Sequence, residues 1–291
     1  MEVVWANDIS RSACDLYPSV TGSNCVHPGS ISTYASFPKV DLLVGCYPCQ
    51  GYSQGGRRKV EDGINYLYRE FDRALRLIRP IAFIVENVNG MRFGRNKHLL
   101  ANQLTRFRSA GYRVSWTMLN AWDYGVPQRR KRLFLVGIRS SEGKRFFFPQ
   151  ATHGEEDGRP SRPTLRDAIW GYRDAPPGSY NVEPFHWYYM SRNRRPEWDG
   201  PGACVVAHWR HAMLHPSSPP LTRLGPDKWE FSTDGPARRM SYLESAAIQG
   251  FPKPEAFDQG SVQQRFQAIG NAVPPPLFGA VAKALVSQLE A

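Results

Sequence analysis

A cysteine at the end of an apolar run is the first residue in this sequence that could do covalent chemistry. Val40–Val44 leads directly into Gly45-Cys46-Tyr47-Pro48-Cys49-Gln50-Gly51-Tyr52-Ser53-Gln54-Gly55-Gly56-Arg57-Arg58-Lys59. Gly51, Gly55 and Gly56 would let such a loop move, and Arg57, Arg58 and Lys59 would hold it against phosphates. A positive field beside a thiol also favours the thiolate, the form that attacks electrophiles. Two other readings of Cys46-x-x-Cys49 compete: half of a zinc site completed by Cys14 and Cys25, or a dithiol redox pair. Structural zinc sites usually pair two such knuckles and the sequence has no second one, while a redox pair leaves the basic loop without a purpose. A second apolar run delivers Ile84-Val85-Glu86-Asn87-Val88. A carboxyl group directly after an apolar strand is partly desolvated, which raises its pKa and lets it give or share a proton. Alone, such a Glu is more often a helix cap or ion-pair partner. Its place at the sheet edge beside the cysteine strand makes it a catalytic candidate. His208, His211 and His215 have no nearby Cys or acidic partner and read as polar loop residues, so no metal is expected.

The elements that must position these residues follow from hydrophobic periodicity. Val3–Ala6, Val40–Val44, Ile81–Val85, Arg113–Leu119 and Leu133–Ile138 read as strands. Tyr66–Ile78, with Leu67, Phe71, Leu75 and Ile78, and His98–Ala110, with Leu100, Leu104 and Phe107, have helical spacing. Strands separated by helices predict an α/β fold with a doubly wound, mostly parallel sheet. Ligands of such sheets sit outside the carboxyl ends of the strands. From Phe146 to Pro236 the chain is crowded with Pro, Gly, Arg and aromatic residues, which predicts a smaller, loop-rich second domain. Helical spacing returns at Ser241–Gln249 and Pro276–Leu289. The expected segments are 1–139 and 140–237, with 238–291 returning to the first domain.

Bulk properties agree with a large soluble protein that meets a polyanion. The chain has 291 residues, with 37 Lys+Arg against 26 Asp+Glu and a formal net charge of +11, a surplus that favours nucleic acid. No run of ~18 apolar residues and no signal-peptide order at the N-terminus predict an intracellular protein with no membrane partner. Five cysteines at irregular spacing argue against a disulfide framework.

Pro48-Cys49-Gln50 followed by Glu86-Asn87-Val88 resembles the two catalytic signatures of DNA (cytosine-5) methyltransferases. Gln128-Arg129-Arg130-Lys131-Arg132 resembles the family's Gln-x-Arg-x-Arg element. Arg238-Arg239-Met240-Ser241, with Glu244 and Gln249-Gly250-Phe251-Pro252, resembles the element that braces the recognition domain. Gln267-Ala268-Ile269-Gly270-Asn271-Ala272-Val273-Pro274-Pro275 resembles the C-terminal signature. Five such segments in family order are far more specific than any one of them.

The resemblance implies a Rossmann-like catalytic domain and a target-recognition domain, with duplex DNA in the cleft and S-adenosylmethionine as cofactor. It gives Cys49 the attack on carbon 6 of a flipped cytosine, Glu86 the bonds to ring nitrogen 3 and the exocyclic amine, and Arg130 and Arg132 the orientation of the base. It gives Asp8 the ribose hydroxyls and Ile9 the adenine, with Ser30, Ile31, Pro48 and Asn271 completing the cofactor side. Ser30 stands where the family usually has Asp, a stronger partner for the adenine amine, and Tyr47 stands where it often has a second Pro. Gln50, Ser53, Arg57, Arg58, Lys59, Arg192, Arg194, Arg195, Arg210 and Arg223 are the implied DNA contacts, and Arg238 with Glu244 the implied brace. The family's first strand and its Phe-x-Gly-x-Gly loop should precede Val3, and Met1 leaves no room for them. A start site placed too late, a companion polypeptide supplying the strand, or a degenerate inactive copy would each account for this. The implied setting is bacterial restriction–modification or genome marking, in the cytoplasm and associated with the nucleoid. The alternatives are a DNA-binding pseudo-enzyme and an RNA cytosine-5 methyltransferase.

Overall fold

The computed structural model describes residues 1–47, 67–92, 97–155 and 158–291. Their contacts form two units that interleave along the chain. One comprises Met1–Pro28, Ala121–Arg130 and Ala151–Leu277; the other comprises Gly29–Asn120, Lys131–Gln150 and Phe278–Ala291. The sequence segments expected above are consecutive, whereas these units are not.

The second unit is built on four strands: β3 (Leu42–Gly45), β4 (Ala82–Val88), β5 (Tyr112–Asn120) and β6 (Lys131–Arg139), in the order β3-β4-β6-β5. β4 and β6 take the centre because their apolar runs can be covered on both faces: Phe83, Ile84, Val85, Leu133, Phe134, Leu135 and Val136 are all fully buried. α2 (Tyr68–Ile78) and α3 (Lys97–Ser109) lie against the sheet. The helical spacing of Tyr68, Phe71 and Leu75, and of Leu100, Leu104 and Phe107, is the spacing of residues that enter this core. β3 pairs with β4 in parallel, whereas β6 runs antiparallel to both β4 and β5. β3, β4 and β5 therefore share one direction and β6 alone is reversed. A parallel return from β5 would need a crossover of about a dozen residues or more, and the connection 121–130 is too short and has no crossing helix.

In the first unit, β1 (Ala6–Asp8) and β2 (Val26–Pro28) pair in parallel across α1 (Arg11–Thr21). The strand starts later than its apolar residues suggest: Val3 and Val4 precede it and are exposed. Long irregular stretches surround α4 (Leu165–Ile169), α5 (Tyr242–Ile248), α6 (Val262–Asn271) and the hairpin of β7 (Leu221–Gly225) and β8 (Lys228–Phe231). A core of Leu16, Leu165, Ile169, Val205, Met240, Ile248 and Ile269 holds α1, α4, α5 and α6 together. α7 (Pro275–Glu290) begins in the first unit and continues into the second. Val262–Glu290 is long and apolar enough, by composition, to cross a membrane. Its residues Phe266, Ile269, Leu277, Val281 and Leu285 are instead buried in protein.

Candidate active site

The register of β3 and β4 builds the rim on which the candidate site stands. Gly45 lies opposite Val85, so the chain leaves β3 with Cys46 beside Glu86. Glycine is required at position 45, because a Cβ there would come within 2.5 Å of the Phe71 ring. That ring is held edge-on against Phe83 and Phe107. Tyr47 then packs on Phe71 and donates its hydroxyl to Gln103 Oε1 at 2.6 Å, which pins the chain where it departs towards residue 48. Pro48, Cys49, Gln50, Ser53, Arg57, Arg58 and Lys59 lie outside the described residues.

Glu86 is 8 % exposed, and the Arg132 Nε lies 2.9 Å from its Oε1. Across the antiparallel pair, Glu86 faces Phe134 and Val88 faces Arg132. The two charged side chains are therefore diagonal neighbours on one face, within reach of a long side chain. The carboxylate is thus one member of a largely buried pair with Arg132. The Cys46 thiol is pushed up from its ordinary value by burial and then by the Glu86 charge, even though the residue keeps some exposed surface. A thiol next to a carboxylate is a poor source of thiolate. Of the two cysteines in Cys46-x-x-Cys49, the first is thereby disfavoured as a nucleophile.

Arg130, expected to orient the base, is turned into the protein. It is 3 % exposed and donates to Val205 O and Gly270 O at 2.8 Å, to Ala272 O at 3.1 Å and to Cys204 Sγ at 3.2 Å. Two buried glutamines tie the same segments. Gln128 accepts from Val205 N and donates to Ile248 O and Gln249 Oε1, while Gln249 donates to Ile269 O and Ala272 O. Gly270 completes this knot, since a Cβ there would strike the backbone of Val206 and Ala207. Arg130 is thus placed to position the segments 204–207 and 270–272.

The residues attributed to the cofactor fall on separate elements. Asp8 closes β1 and is exposed, with Oδ1 accepting from Ser10 N at 2.8 Å. Ile9 is 76 % exposed, and Asn271 is exposed at the end of α6. An exposed carboxylate followed by an exposed apolar side chain fits a ribose and the flat face of a purine. In the other unit, Ser30 caps the short turn Ile31–Thr33, and its hydroxyl lies 2.8 Å from that of Ser32. That arrangement satisfies the hydroxyl locally and gives no support to its expected bond to an adenine amine. Ile31 is half-buried, with its carbonyl accepting from Arg73 at 2.9 Å.

Of the arginines expected on DNA, Arg192 and Arg223 are exposed. Arg194 donates to Tyr189 O and lies over the Tyr189 ring; Arg195 pairs with Glu197 and donates to Ser218 O; Arg210 pairs with Glu183 through two bonds of 2.8 and 2.9 Å. Arg238 and Glu244 form the expected brace through two 2.8 Å bonds. His215, expected to be a polar loop residue, is buried within this brace, its Nε2 3.2 Å from Glu244 Oε1. Burial opposes ionisation of Glu244, but hydrogen bonds from Arg238, His215 and the Ser241 backbone outweigh it and bring its pKa down to about 2. Sequence reasoning missed Arg239. It is 1 % exposed and lies 4.5 Å from the ring centroids of both Phe185 and Tyr189.

The chain is similar to known proteins. The chain is 38 % identical to the Type II methyltransferase M.BsuRI of Bacillus subtilis, over 98 % of its own length and 67 % of the relative's. It is 36 % identical to M.BspRI of Lysinibacillus sphaericus, over 97 % of its own length and 69 % of the relative's. Its fold matches the solved methyltransferase EhMeth of Entamoeba histolytica with a TM-score of 0.67 at 15 % identity, over 99 % of this chain and 90 % of that one. Residues 1–287 match the family described as C-5 cytosine-specific DNA methylase. On these matches the chain belongs to the C-5 cytosine-specific DNA methylase family.

Proposed function

We propose that this chain transfers a methyl group from S-adenosylmethionine to carbon 5 of a cytosine flipped out of duplex DNA, with Cys49 as nucleophile. The observation that carries this reading is the Glu86–Arg132 pair at the rim where the chain leaves β3. Carbon 5 of cytosine is a weak nucleophile. Addition of the Cys49 thiolate to carbon 6 moves the electrons of the 5,6 double bond onto carbon 5. Glu86, held by Arg132, hydrogen-bonds ring nitrogen 3 and the exocyclic amine as charge develops there. The sulfonium of the cofactor supplies the methyl group as an electrophile. Loss of the carbon-5 proton then restores the double bond and expels the Cys49 thiolate. Asp8, Ile9 and Asn271 hold the cofactor, and Arg130 acts as a positioning residue. The bacterial Type II methyltransferases to which the chain is similar support an enzyme of a restriction–modification system, and a cytoplasmic place beside the nucleoid is part of the same proposal.

Transfer of labelled methyl from S-adenosylmethionine to unmethylated duplex DNA tests this. Cys49→Ser is expected to abolish transfer while leaving non-covalent DNA binding intact. Full activity in that variant would remove Cys49 from the mechanism. Transfer to RNA in place of DNA would favour an RNA enzyme, and DNA binding without transfer would favour a pseudo-enzyme.

A second reading concerns the sheet. Among the described residues, β3 pairs only with β4, and Val44 is 44 % exposed. An open apolar edge of this kind accepts a further strand, from a longer form of this chain or from a companion polypeptide. Tight binding of S-adenosylmethionine by the present chain alone would make an added strand unnecessary.

A further inference from the structure

The loop 185–189 holds a large aromatic ring out into solvent by anchoring both of its ends. Phe185 and Tyr189 stack at 5.3 Å, and the Arg239 guanidinium lies against both rings. Arg194 covers Tyr189 as well, 4.9 Å from its centroid. Tyr189 is fully buried and donates its hydroxyl to Ala212 O at 2.8 Å. His186 Nδ1 accepts from the Tyr189 backbone, tightening the turn. Between these anchors Trp187 is 81 % exposed, touching Tyr188 edge-on at 5.8 Å. Tyr188 continues into a shelf of rings through His211 and His208. An indole left in water costs hydrophobic free energy that a slack loop would recover by folding it inward. This loop is fixed, so the ring is displayed.

The surroundings select the partner. Glu183, on the same loop, is neutralised by its two bonds to Arg210. Burial, followed by the neighbouring His208, Arg194, His186 and Arg192, pushes His211 down to about 4, and the permanent cations among these neighbours are Arg194 and Arg192. Aromatic rings flanked by cations are the means by which proteins hold nucleic acid bases and wedge into base steps. We infer that Trp187 stacks on a base of the bound duplex, with Tyr188 beside it and Arg192 on the phosphates. This rests on the reading of duplex DNA as substrate and adds a contact that none of the arginines supplies.

Affinity as a function of salt separates stacking from ion pairing. The probe is a duplex selected from a random-sequence pool by binding to the unaltered chain. Trp187→Ala is expected to weaken binding about ten-fold or more, with the slope of log K against log salt unchanged, because no counterion is involved. Trp187→Phe should recover most of the loss. Arg192→Ala should instead lower the slope by about one. Since Trp187 is exposed, the thermal midpoint should not move. A loss below about two-fold for Trp187→Ala, or one accompanied by a slope change like that of Arg192→Ala, overturns the inference. A change in self-association with DNA affinity intact would give the shelf to a second copy and likewise overturn it. If no duplex is selected at all, the DNA reading falls too; if the unaltered chain binds and Trp187→Ala binds equally, only this inference falls.

Discussion

Glu86 has a charged neighbour that the sequence hides. Its carboxylate and the Arg132 guanidinium are both largely shielded from water, at 10 % and 14 % side-chain exposure, and 2.9 Å apart. Removing one member of such a pair is costlier than never having had it, because the remaining charge stays desolvated. Arg132→Ala is expected to reduce methyl transfer at least about ten-fold. An unchanged rate of transfer would show that Arg132 does not act through this carboxylate. The strand that carries Glu86 was legible from its apolar run, although β4 extends to Val88 and takes Glu86 inside it. The pairing of Glu86 was not, since the diagonal contact depends on the register of β4 with β6, which periodicity does not reveal. Arg130 is the converse case. Its inward turn depends on carbonyls at positions 205, 270 and 272, which lie far along the chain and become acceptors only once the fold exists.

Short elements in the loop-rich half hold their place through buried polar groups more than through length. α5 has seven residues, too few to be stable alone, yet Glu244 closes its capping box with Ser241 and accepts two bonds from Arg238. The folded pKa of Glu244, about 2, lies below the ordinary carboxylate value of 4.5. Its contribution to stability is therefore complete above about pH 4.5 and is lost as pH falls towards 2, and the size of the shift corresponds to roughly 3 kcal/mol. Glu244→Gln is expected to lose about that much at neutral pH in urea unfolding, with the gap to the parent protein closing between pH 4.5 and 2. A gap that stayed constant through this window would assign the brace to its capping hydrogen bonds rather than to charge. The helix was readable from helical spacing over Ser241–Gln249, whereas the brace of Arg238 with Glu244 was implied by the family resemblance. The hairpin of β7 and β8 went unread, although Gly225-Pro226-Asp227 between Leu-Thr-Arg-Leu and Lys-Trp-Glu-Phe is a turn signal. The crowding of Pro and Arg around it masked the alternation.

On the scale of the whole molecule, the α/β class was legible because the strands and helices of the second unit have clean periods. The interleaving of the two units was not, since it joins segments more than a hundred residues apart. Net charge has a similar limit. A value of +11 states that a polyanion is favoured, but much of the basic surplus is spent inside the protein: Arg130, Arg238 and Arg239 serve carbonyls and Glu244. The family resemblance assigns eight cations to DNA: Arg57, Arg58, Lys59, Arg192, Arg194, Arg195, Arg210 and Arg223. Four of them, Arg194, Arg195, Arg210 and Arg223, have protein partners among the described residues. Each phosphate contact contributes about −0.9 to the slope of log K against log salt, so if only the other four meet phosphates the slope is about −3 to −4 and the loss roughly 150-fold between 50 and 200 mM salt. If all eight released counterions, the slope would be about −7 and the loss roughly 20,000-fold. Titration of duplex DNA over that range distinguishes the two cases. The steeper slope would mean that the pairs with Glu183 and Glu197 open when DNA arrives, and that the unbound surface holds its recognition arginines in reserve.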